Sequence, residues 1–586
     1  MAGPQGASTA RFVVISPDGF GGAAVAALFA TAGYPARHHL NGRLADGIAH
    51  GLAAGRPPLD RWPEARLFAG LYHLDSFARE PLEIWRDIEA LDHALRGAVF
   101  ILLTRDPVAW SMARLAASDG SRAQTFAHWL RVPISDLPRL WQQGWRDHLR
   151  RVSRHFGDDP RLIRINTDAE PPAALIDKLR PWIDLTAARP PAGWRKAVDP
   201  MAALAALDRL PADAAPAILR HQPRDDGFVA DVAGFCLRGI APGDGDLRAV
   251  SPHYGHWDGG DRVTGRNGKP RPVAIGRSLI DGQPRAYPEP GHLKIERLAG
   301  VINDVIALGR RDPVHVDMED SRWMGSPQGD PLGRPVLVHN RRQGAVNPVL
   351  WPLPGYHDLG SPGFARPDCP DPIPFRDKAD RLVWRGNLSG SVRRCDRVKP
   401  GRASHAVLAD LAKAGDDPAR RDAVWQELRQ VSRLRFVRRF IGHPDFDLGI
   451  ALSWGLLDFA RDPLIAPFLR PRVDRAYFHG FRYQLCLTGY DHGSNFLGAI
   501  NSQSVLLAED DGWEVFYSGR FQPWKHFIPV ARYCDDVEDK LAWARANNDA
   551  CIAMSAAARA EVAKLSDKPM RDAILNLILD GLAQGG

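Results

Sequence analysis

Asp380-Arg-Leu-Val-Trp-Arg-Gly-Asn-Leu-Ser-Gly-Ser-Val-Arg393 decides how this chain is read. The apolar run 382–384 predicts a strand that ends in Arg385-Gly386. A polar loop of Asn387, Ser389, Gly390 and Ser391 follows, closed by Arg393 and Arg394. Glycines let a backbone approach a ligand closely, and serine hydroxyls and amide N–H groups suit anionic oxygens. Guanidinium groups grip phosphate in a fork. The stretch therefore fits an anion site, most naturally for a diphosphate. It fits equally an arginine salt-bridged across a sheet edge beside a glycine turn, and both readings stay open on these residues alone.

At 586 residues the chain exceeds one ordinary core, and about 150 residues per domain predicts three or four units. Hydrophobic content of 45% and charged content of 25% are ordinary for a globular protein. A net charge of +7 and a pI near 9.1 suit phosphate-bearing substrates or an anionic membrane surface. No dense Lys/Arg tail with interleaved aromatics occurs, so nucleic acid is not an expected partner. Cys236, Cys369, Cys395, Cys486, Cys534 and Cys551 stand far apart, with no C-x-x-C pair. Neither a zinc site nor a disulfide framework is expected, and reduced thiols point to a cytoplasmic compartment. Residues 1–19 lack the pattern of a secretory signal, and no run of about 18 apolar residues predicts a membrane span. The expected location is cytoplasmic, with peripheral contact at the inner face of the membrane. The oligomeric state is not legible.

The first 190 residues predict an α/β domain. A strand at 11–16 leads into Pro17-Asp18-Gly19-Phe20-Gly21-Gly22 and a helix at 23–32, the layout of a phosphate cradle. A second strand at 98–103 runs into Thr104-Arg105-Asp106-Pro107 and a helix carrying Ser111 and Arg114; a third is expected at 162–165. Alternating strands and helices imply a doubly wound parallel sheet. Leu103-Thr-Arg105-Asp106-Pro107 with Ser111 resembles the sulfotransferase family, in which the corresponding arginine and serine bind the 3′-phosphate of the sulfate donor. That resemblance implies a P-loop-like domain with Arg105 and Ser111 at a nucleotide site. The family's basic first loop is missing, because Asp18 stands where a positive charge is wanted, so a degenerate domain kept for packing or partner binding is the favoured reading. Sulfate transfer is the alternative.

Residues 191–225, rich in Ala and Pro, are expected to form a linker. Residues 244–287, rich in Gly and Pro, are expected to be irregular surface structure, and 293–309 an amphipathic helix. A strand at 334–338 leads to His339-Asn340-Arg341-Arg342-Gln343, where the arginines meet an anion or form a solvated turn. Trp351-Pro-Leu-Pro-Gly-Tyr356-His357-Asp358 places a histidine and a carboxylate after a rigid turn, which makes Asp358 a candidate general base.

Beyond residue 400, Ser404 is expected to cap a helix, and a basic helix is expected over 423–439. A strand at 482–487 precedes Gly489-Tyr-Asp-His-Gly493-Ser494-Asn495, where Ser494 would cap the next helix or a bound phosphate. Strands at 505–507 and 513–517 and a capping-box pattern at 536–539 complete half of a nucleotide-binding fold.

Five spaced elements resemble glycosyltransferase family 90, which includes capsule-associated proteins, protein O-glucosyltransferases and lipopolysaccharide-modifying enzymes. They are Pro374-Phe375-Arg-Asp-Lys378, Val383-Trp384-Arg385-Gly386 with Arg393, Tyr483-Gln-Leu-Cys-Leu-Thr-Gly489, Ser504-Val-Leu-Leu, and Pro523-Trp524-Lys-His526-Phe-Ile-Pro529. The resemblance implies a GT-B pair of Rossmann-like lobes, here 226–380 on the acceptor side and 381–586 for the nucleotide-sugar. It implies a metal-independent glycosyltransferase without cofactor, moving a sugar from a nucleotide-sugar, a UDP-sugar foremost, to a hydroxyl of lipopolysaccharide or capsule. Arg385 and Arg393 would hold the donor diphosphate, joined by Ser389 and Ser494. Glu514, Trp524 and His526 would line the donor cleft. Gln343 stands near the family's catalytic aspartate and Asn495 near an arginine of its eukaryotic members, which leaves Asp358 as the expected base. A non-catalytic glycan- or nucleotide-binding scaffold is the alternative for the whole chain.

Overall fold

A computed structural model describes residues 10–74, 81–117, 121–130, 132–189, 194, 223–355, 357, 371–393, 401–473 and 475–585. The chain divides into two units, residues 1–219 with 255–313, and residues 220–254 with 314–586. Residues 255–313, expected within an acceptor-side lobe, thus group with the N-terminal unit. The 191–225 linker lies almost wholly outside the described residues.

The first unit is built on short apolar inner strands, Phe12–Val14, Leu67–Ala69 and Val99–Thr104, buried on both faces as in a parallel sheet covered by helices. Strands β1 (Phe12–Val14), β2 (Ala36–His38), β3 (Leu67–Ala69), β4 (Val99–Thr104) and β5 (Leu162–Asn166) are ordered β2-β3-β1-β4-β5, all parallel. The glycine turn after β1 opens helix α1 (Gly22–Thr31), and Gly19 and Gly21 take φ of 81° and 104°, which side chains resist. Helix α2 (Pro107–Ala116) is capped by Asp106, whose side chain accepts the N–H of Val108. Residues 244–287 are not irregular: antiparallel strands Val273–Arg277 and Pro284–Pro288 stand there, packed on helix Leu293–Ala307. Apart from Gly276, which pairs with Arg285, their Gly and Pro residues fall in the turn and at strand ends, so composition alone hid the pairing.

Helix α3 (Leu137–Phe156) buries His148 against the rings of Trp85 and Trp145. Its Nε2–H donates to the Ile15 carbonyl at 3.0 Å, and burial pulls its pKa down to about 4. The unfolded chain takes this proton near pH 6.5 and the folded chain near 4, so stability is full above 6.5 and is lost as pH falls between those values. The expected loss is roughly 3 kcal/mol. Urea unfolding from pH 7 to 4 should show this decline, and His148→Gln should flatten it.

The second unit carries two parallel sheets. Helix α4 (Asp226–Leu237) begins it, capped by Asp225. Strands β6 (Val314–Val316), β7 (Val336–Val338) and β9 (Pro348–Leu350) pair in the order β9-β7-β6, and β8 (Arg341–Arg342) leaves the sheet just after β7. The stretch that opened the sequence forms β10 (Ala379–Gly386). Helices α5 (Ser404–Ala414) and α6 (Ser432–Phe440) follow, then β11 (Phe446–Ile450), β12 (Phe481–Cys486), β13 (Val505–Glu509), β14 (Trp513–Glu514), β15 (Ile528–Val530) and helix α7 (Val537–Ala546). The larger sheet is β11-β10-β12-β13-β15, parallel throughout. In chain order this is 2-1-3-4-5, and the direction of winding reverses beside β10. A crevice at the carboxyl ends of β10 and β12 is where such sheets bind ligands.

Three expected caps are absent. Ser404 is the first residue of α5, and its buried hydroxyl bonds the Leu388 carbonyl and the Tyr490 hydroxyl instead. The short helix Phe496–Ile500 has Asn495 at its N-cap position without a side-chain cap, and Ser494 is exposed. Asp536 spends its carboxylate on the N–H of Ala531. The expected basic helix is broken into Pro418–Leu428 and α6.

Arg341 is neither solvated nor an anion ligand. It is 2% exposed, and its guanidinium bonds the carbonyls of Phe235, Cys236 and Arg238 at the end of α4, the Pro348 carbonyl, and Glu514 Oε2 at 2.9 Å. It thereby joins α4, β9 and β14, and β8 pairs antiparallel with β14 at Arg341 and Glu514. Arg341→Ala strips these partners in a buried setting. A loss of about 3–5 kcal/mol is expected, measured as a lower urea midpoint for the second unit.

Candidate functional site

The carboxyl ends of β10 and β12 are joined from below by one cation. Arg433, at the start of α6, donates through Nε to the Thr488 carbonyl at 3.1 Å and through Nη2 to the Leu487 carbonyl at 2.8 Å. Its Nη1 reaches the Asn387 carbonyl at 3.3 Å and Ser389 Oγ at 2.7 Å. It thus clamps the loop after β10 to the loop after β12, with its guanidinium 5.5 Å from the centre of the Trp384 ring. Burial pulls its pKa below the usual arginine value, but an arginine stays charged throughout the physiological range. Among the described residues no carboxylate pairs with it. A partly buried cation without a counter-ion, at the reversal point of the sheet, is the electrostatic condition for holding an anion.

The arginines singled out from sequence are held differently. Arg385 donates to the carbonyl and carboxylate of Asp447 on β11, and Tyr477 OH lies 3.4 Å away. Burial pushes Asp447 upward, yet its bonds to Arg385 and Tyr477 leave it below the usual carboxylate range. Of the two openings first offered by this stretch, Arg385 takes the braced strand end. Arg393, half-exposed, bonds Asp535 at 2.8 Å and lies over the Tyr533 ring at 5.4 Å. Ser389 is at the crevice through its bond to Arg433.

Around the same loops stands an acid–imidazole cluster that sequence reading missed. Asp320 follows β6, His339 and Asn340 follow β7, and Asp491 lies in the loop after β12. His339 Nε2 is 3.6 Å from Asp320 Oδ1 and 3.5 Å from Asp491 Oδ2. Asp491 Oδ2 also accepts the Asn340 amide at 3.0 Å and the Ser321 N–H at 3.1 Å. Ser321 holds a left-handed φ of 55°, a strain that persists where surroundings enforce it. The loop after β6 is anchored by fully buried Asp317, which accepts the N–H and hydroxyl of Ser251 at 2.7 and 2.8 Å. Next to Asp491, His492 Nδ1 lies 3.4 Å from Asp511, which also accepts the Thr488 hydroxyl at 3.0 Å and the Trp513 N–H at 2.8 Å. Burial would raise the Asp511 pKa, but His492 holds it below the usual carboxylate range. The signal available in sequence was two acidic loops, Asp317-Met-Glu-Asp320 and Asp491-His492, each at a strand end.

The remaining candidates are dispersed. Glu514 is committed to Arg341 and to Arg238 at 2.6 Å. Trp524 has a left-handed φ of 63° and is 44% exposed, with Trp543 edge-on at 4.8 Å and Lys540 Nζ 4.8 Å from its ring. His526 is buried; its Nδ1 accepts the Gln522 N–H, and burial lowers its pKa, so it is a neutral brace of its own turn. Asp358 lies outside the described residues. Its neighbour His357 is buried against Phe516 and Tyr517 and accepts the Leu353 N–H, a packing role.

In the first unit, a cavity of about 210 Å³ is lined by the glycine turn, His38, Tyr72 and Arg105. Arg105 donates to the Gly19 carbonyl at 2.7 Å and lies 3.5 Å from Asp168. Ser111 is fully buried, bonded to the Val108 carbonyl and to Gln142. Asp18 pairs with Arg114 at 3.0 Å and Arg122 at 3.2 Å, so its charge is neutralised from within the unit.

Residues 471–578, which include β12, Asp491, β13 and β15, match the model of Glycosyl transferase family 90, and the C-terminal region is assigned to that family. Over 164 residues the chain is 31% identical to Uncharacterized protein 035R of Invertebrate iridescent virus 3, covering 26% of this chain and 15% of that protein. Over 202 residues it is 30% identical to Uncharacterized protein 027R of Frog virus 3, covering 33% and 19%. Over 72 residues it is 25% identical to Protein O-glucosyltransferase 3 of Homo sapiens, covering 12% and 14%. The chain spans between 14% and 19% of the length of these relatives.

Proposed function

We propose that this chain is a glycosyltransferase that moves a sugar from a nucleotide-sugar, a UDP-sugar foremost, to a hydroxyl of a surface glycan such as lipopolysaccharide or capsule. The observation that carries the reading is Arg433, a partly buried cation with no carboxylate partner among the described residues, at the reversal point of a 2-1-3-4-5 sheet whose strands β12, β13 and β15 fall within the 471–578 match to a glycosyl transferase family. The donor diphosphate would lie over the loops after β10 and β12, against Arg433 and Ser389, with half-exposed Arg393 in the same loop. The sheets β9-β7-β6 and β11-β10-β12-β13-β15 would act as the two lobes of a GT-B arrangement.

Chemistry would run as a displacement. The acceptor oxygen bonds the anomeric carbon, the bond from that carbon to the diphosphate oxygen breaks, and the nucleoside diphosphate leaves with its electron pair. The hydroxyl proton goes to Asp320, the most open member of the cluster, its side chain 36% exposed against 5% for His339 and 19% for Asp491. Negative charge growing on the leaving oxygens meets Arg433, which fills the place a metal ion holds on the diphosphate in other transferases. No metal on the diphosphate is needed in this scheme. The first unit is read as a companion without sulfate-transfer chemistry, since Ser111 is sealed in packing. Work at the cytoplasmic face of a membrane would suit the basic chain and a glycolipid acceptor.

Calorimetric titration with UDP tests the donor site. Arg433→Met should weaken binding roughly tenfold or more, the value of a charge-assisted hydrogen bond. Asp320→Asn should leave UDP affinity near wild type while lowering transfer from the UDP-sugar roughly 10²- to 10⁴-fold. Wild-type turnover by Asp320→Asn would remove it as the base, and unaltered UDP binding by Arg433→Met would remove the donor assignment.

A further inference from the structure

We propose that Asp320, His339 and Asp491 form a binding site for a divalent transition cation, of the Mn²⁺ or Zn²⁺ kind. Their ligand atoms all lie within 4.8 Å of one another. A cation with bonds of about 2.1 Å sets tetrahedral ligands roughly 3.4 Å apart. The two distances from His339 Nε2, 3.6 Å to Asp320 and 3.5 Å to Asp491, match that spacing. Two carboxylates and one imidazole are the mixed donor set that suits manganese and zinc rather than calcium.

A second feature points into the same space. Asn340 is 2% exposed, and its amide nitrogen stands 2.5 Å from His339 Nε2 and 3.0 Å from Asp491 Oδ2, while its Oδ1 is buried without a hydrogen-bond partner. The two ends of a carboxamide have the same shape, so turning it over exchanges oxygen for nitrogen in place. With a cation present, Oδ1 faces the cluster as a fourth ligand, and the amide nitrogen takes the buried place where the oxygen now stands without a partner. The scaffold is rigid enough to hold these atoms. Asp317 anchors the loop of Asp320, and Arg341 fixes the chain immediately after Asn340.

The cation would sit on the proton-accepting side of the site and not on the donor diphosphate. Cation and proton would compete for the oxygens of Asp320. Metal binding would therefore tune the base rather than activate the leaving group.

The test uses the full chain, stripped with a chelator and titrated with MnCl₂ and ZnCl₂ by calorimetry. Mn²⁺ is followed as well through loss of the free-ion paramagnetic resonance signal. One equivalent of at least one cation should bind saturably, and affinity should fall roughly tenfold or more in Asp320→Asn and in His339→Gln. Both variants are compared with wild type for thermal unfolding. Should buried His339→Gln not fold, Asp320→Asn, at the open member, decides alone. Absence of saturable binding by either cation, or binding that Asp320→Asn leaves unchanged, overturns the site. No sugar donor enters these titrations, so their failure and a failure of UDP to bind are separate results.

Discussion

The second unit depends on one buried guanidinium. Helix α4 ends with carbonyls that no further turn can satisfy, and Arg341 collects three of them together with the Pro348 carbonyl and the Glu514 carboxylate. A buried arginine is tolerable only when its donors are satisfied and its charge is met. Here the partners come from α4, β9 and β14, so the charge can be satisfied only when those pieces have assembled. His339 and Asn340 immediately precede Arg341 in the chain. Their position in the acid–imidazole cluster follows from where Arg341 is pinned.

Arg433 makes the complementary case. Arg341 has its carboxylate, whereas among the described residues Arg433 is bonded to carbonyls and a hydroxyl. Carbonyl dipoles orient a guanidinium and fix two loops around it, and the carboxylates of Glu509 and Asp491 act on its charge without pairing with it. One arginine holds the fold together and the other leaves a positive field in a ligand-binding crevice. The distinction lies in the partners, because both side chains are long, basic and drawn into the protein.

What was legible in the sequence follows from the same physics. The central strands were readable because buried strands carry apolar runs: 382–384 and 505–507 fall in β10 and β13, and 482–487, apolar but for Arg482 and Gln484, overlaps β12. Strand β6, Val-His-Val, is too short and too mixed to stand out, so the loop that follows it, with Asp320, went unread. The Ser321–Asp491 contact spans 170 positions, and no local pattern encodes which of 69 acidic residues meet a given histidine. Arg385 drew attention by its place after a strand, but the neighbour that neutralises it, Asp447, arrives only when β11 pairs beside β10. Composition misled over 244–287, since glycine and proline mark turns within a hairpin as readily as a loop.

The site brings both signs of charge to neighbouring loops. Arg433 binds the loops after β10 and β12 and Arg393 stands after β10, while Asp320 and His339 follow β6 and β7 and Asp491 lies in the loop after β12. Transfer of a sugar needs both signs, because negative charge builds on a departing diphosphate while a proton leaves the attacking hydroxyl. Cations beside the first and carboxylates beside the second lower both demands at once, and the gain is largest where water is thinned and the effective dielectric is low. The two carboxylates gathered on His339, with ligand atoms within 4.8 Å of one another, repel. A proton or a metal ion relieves that repulsion, and the cluster is poised to accept either.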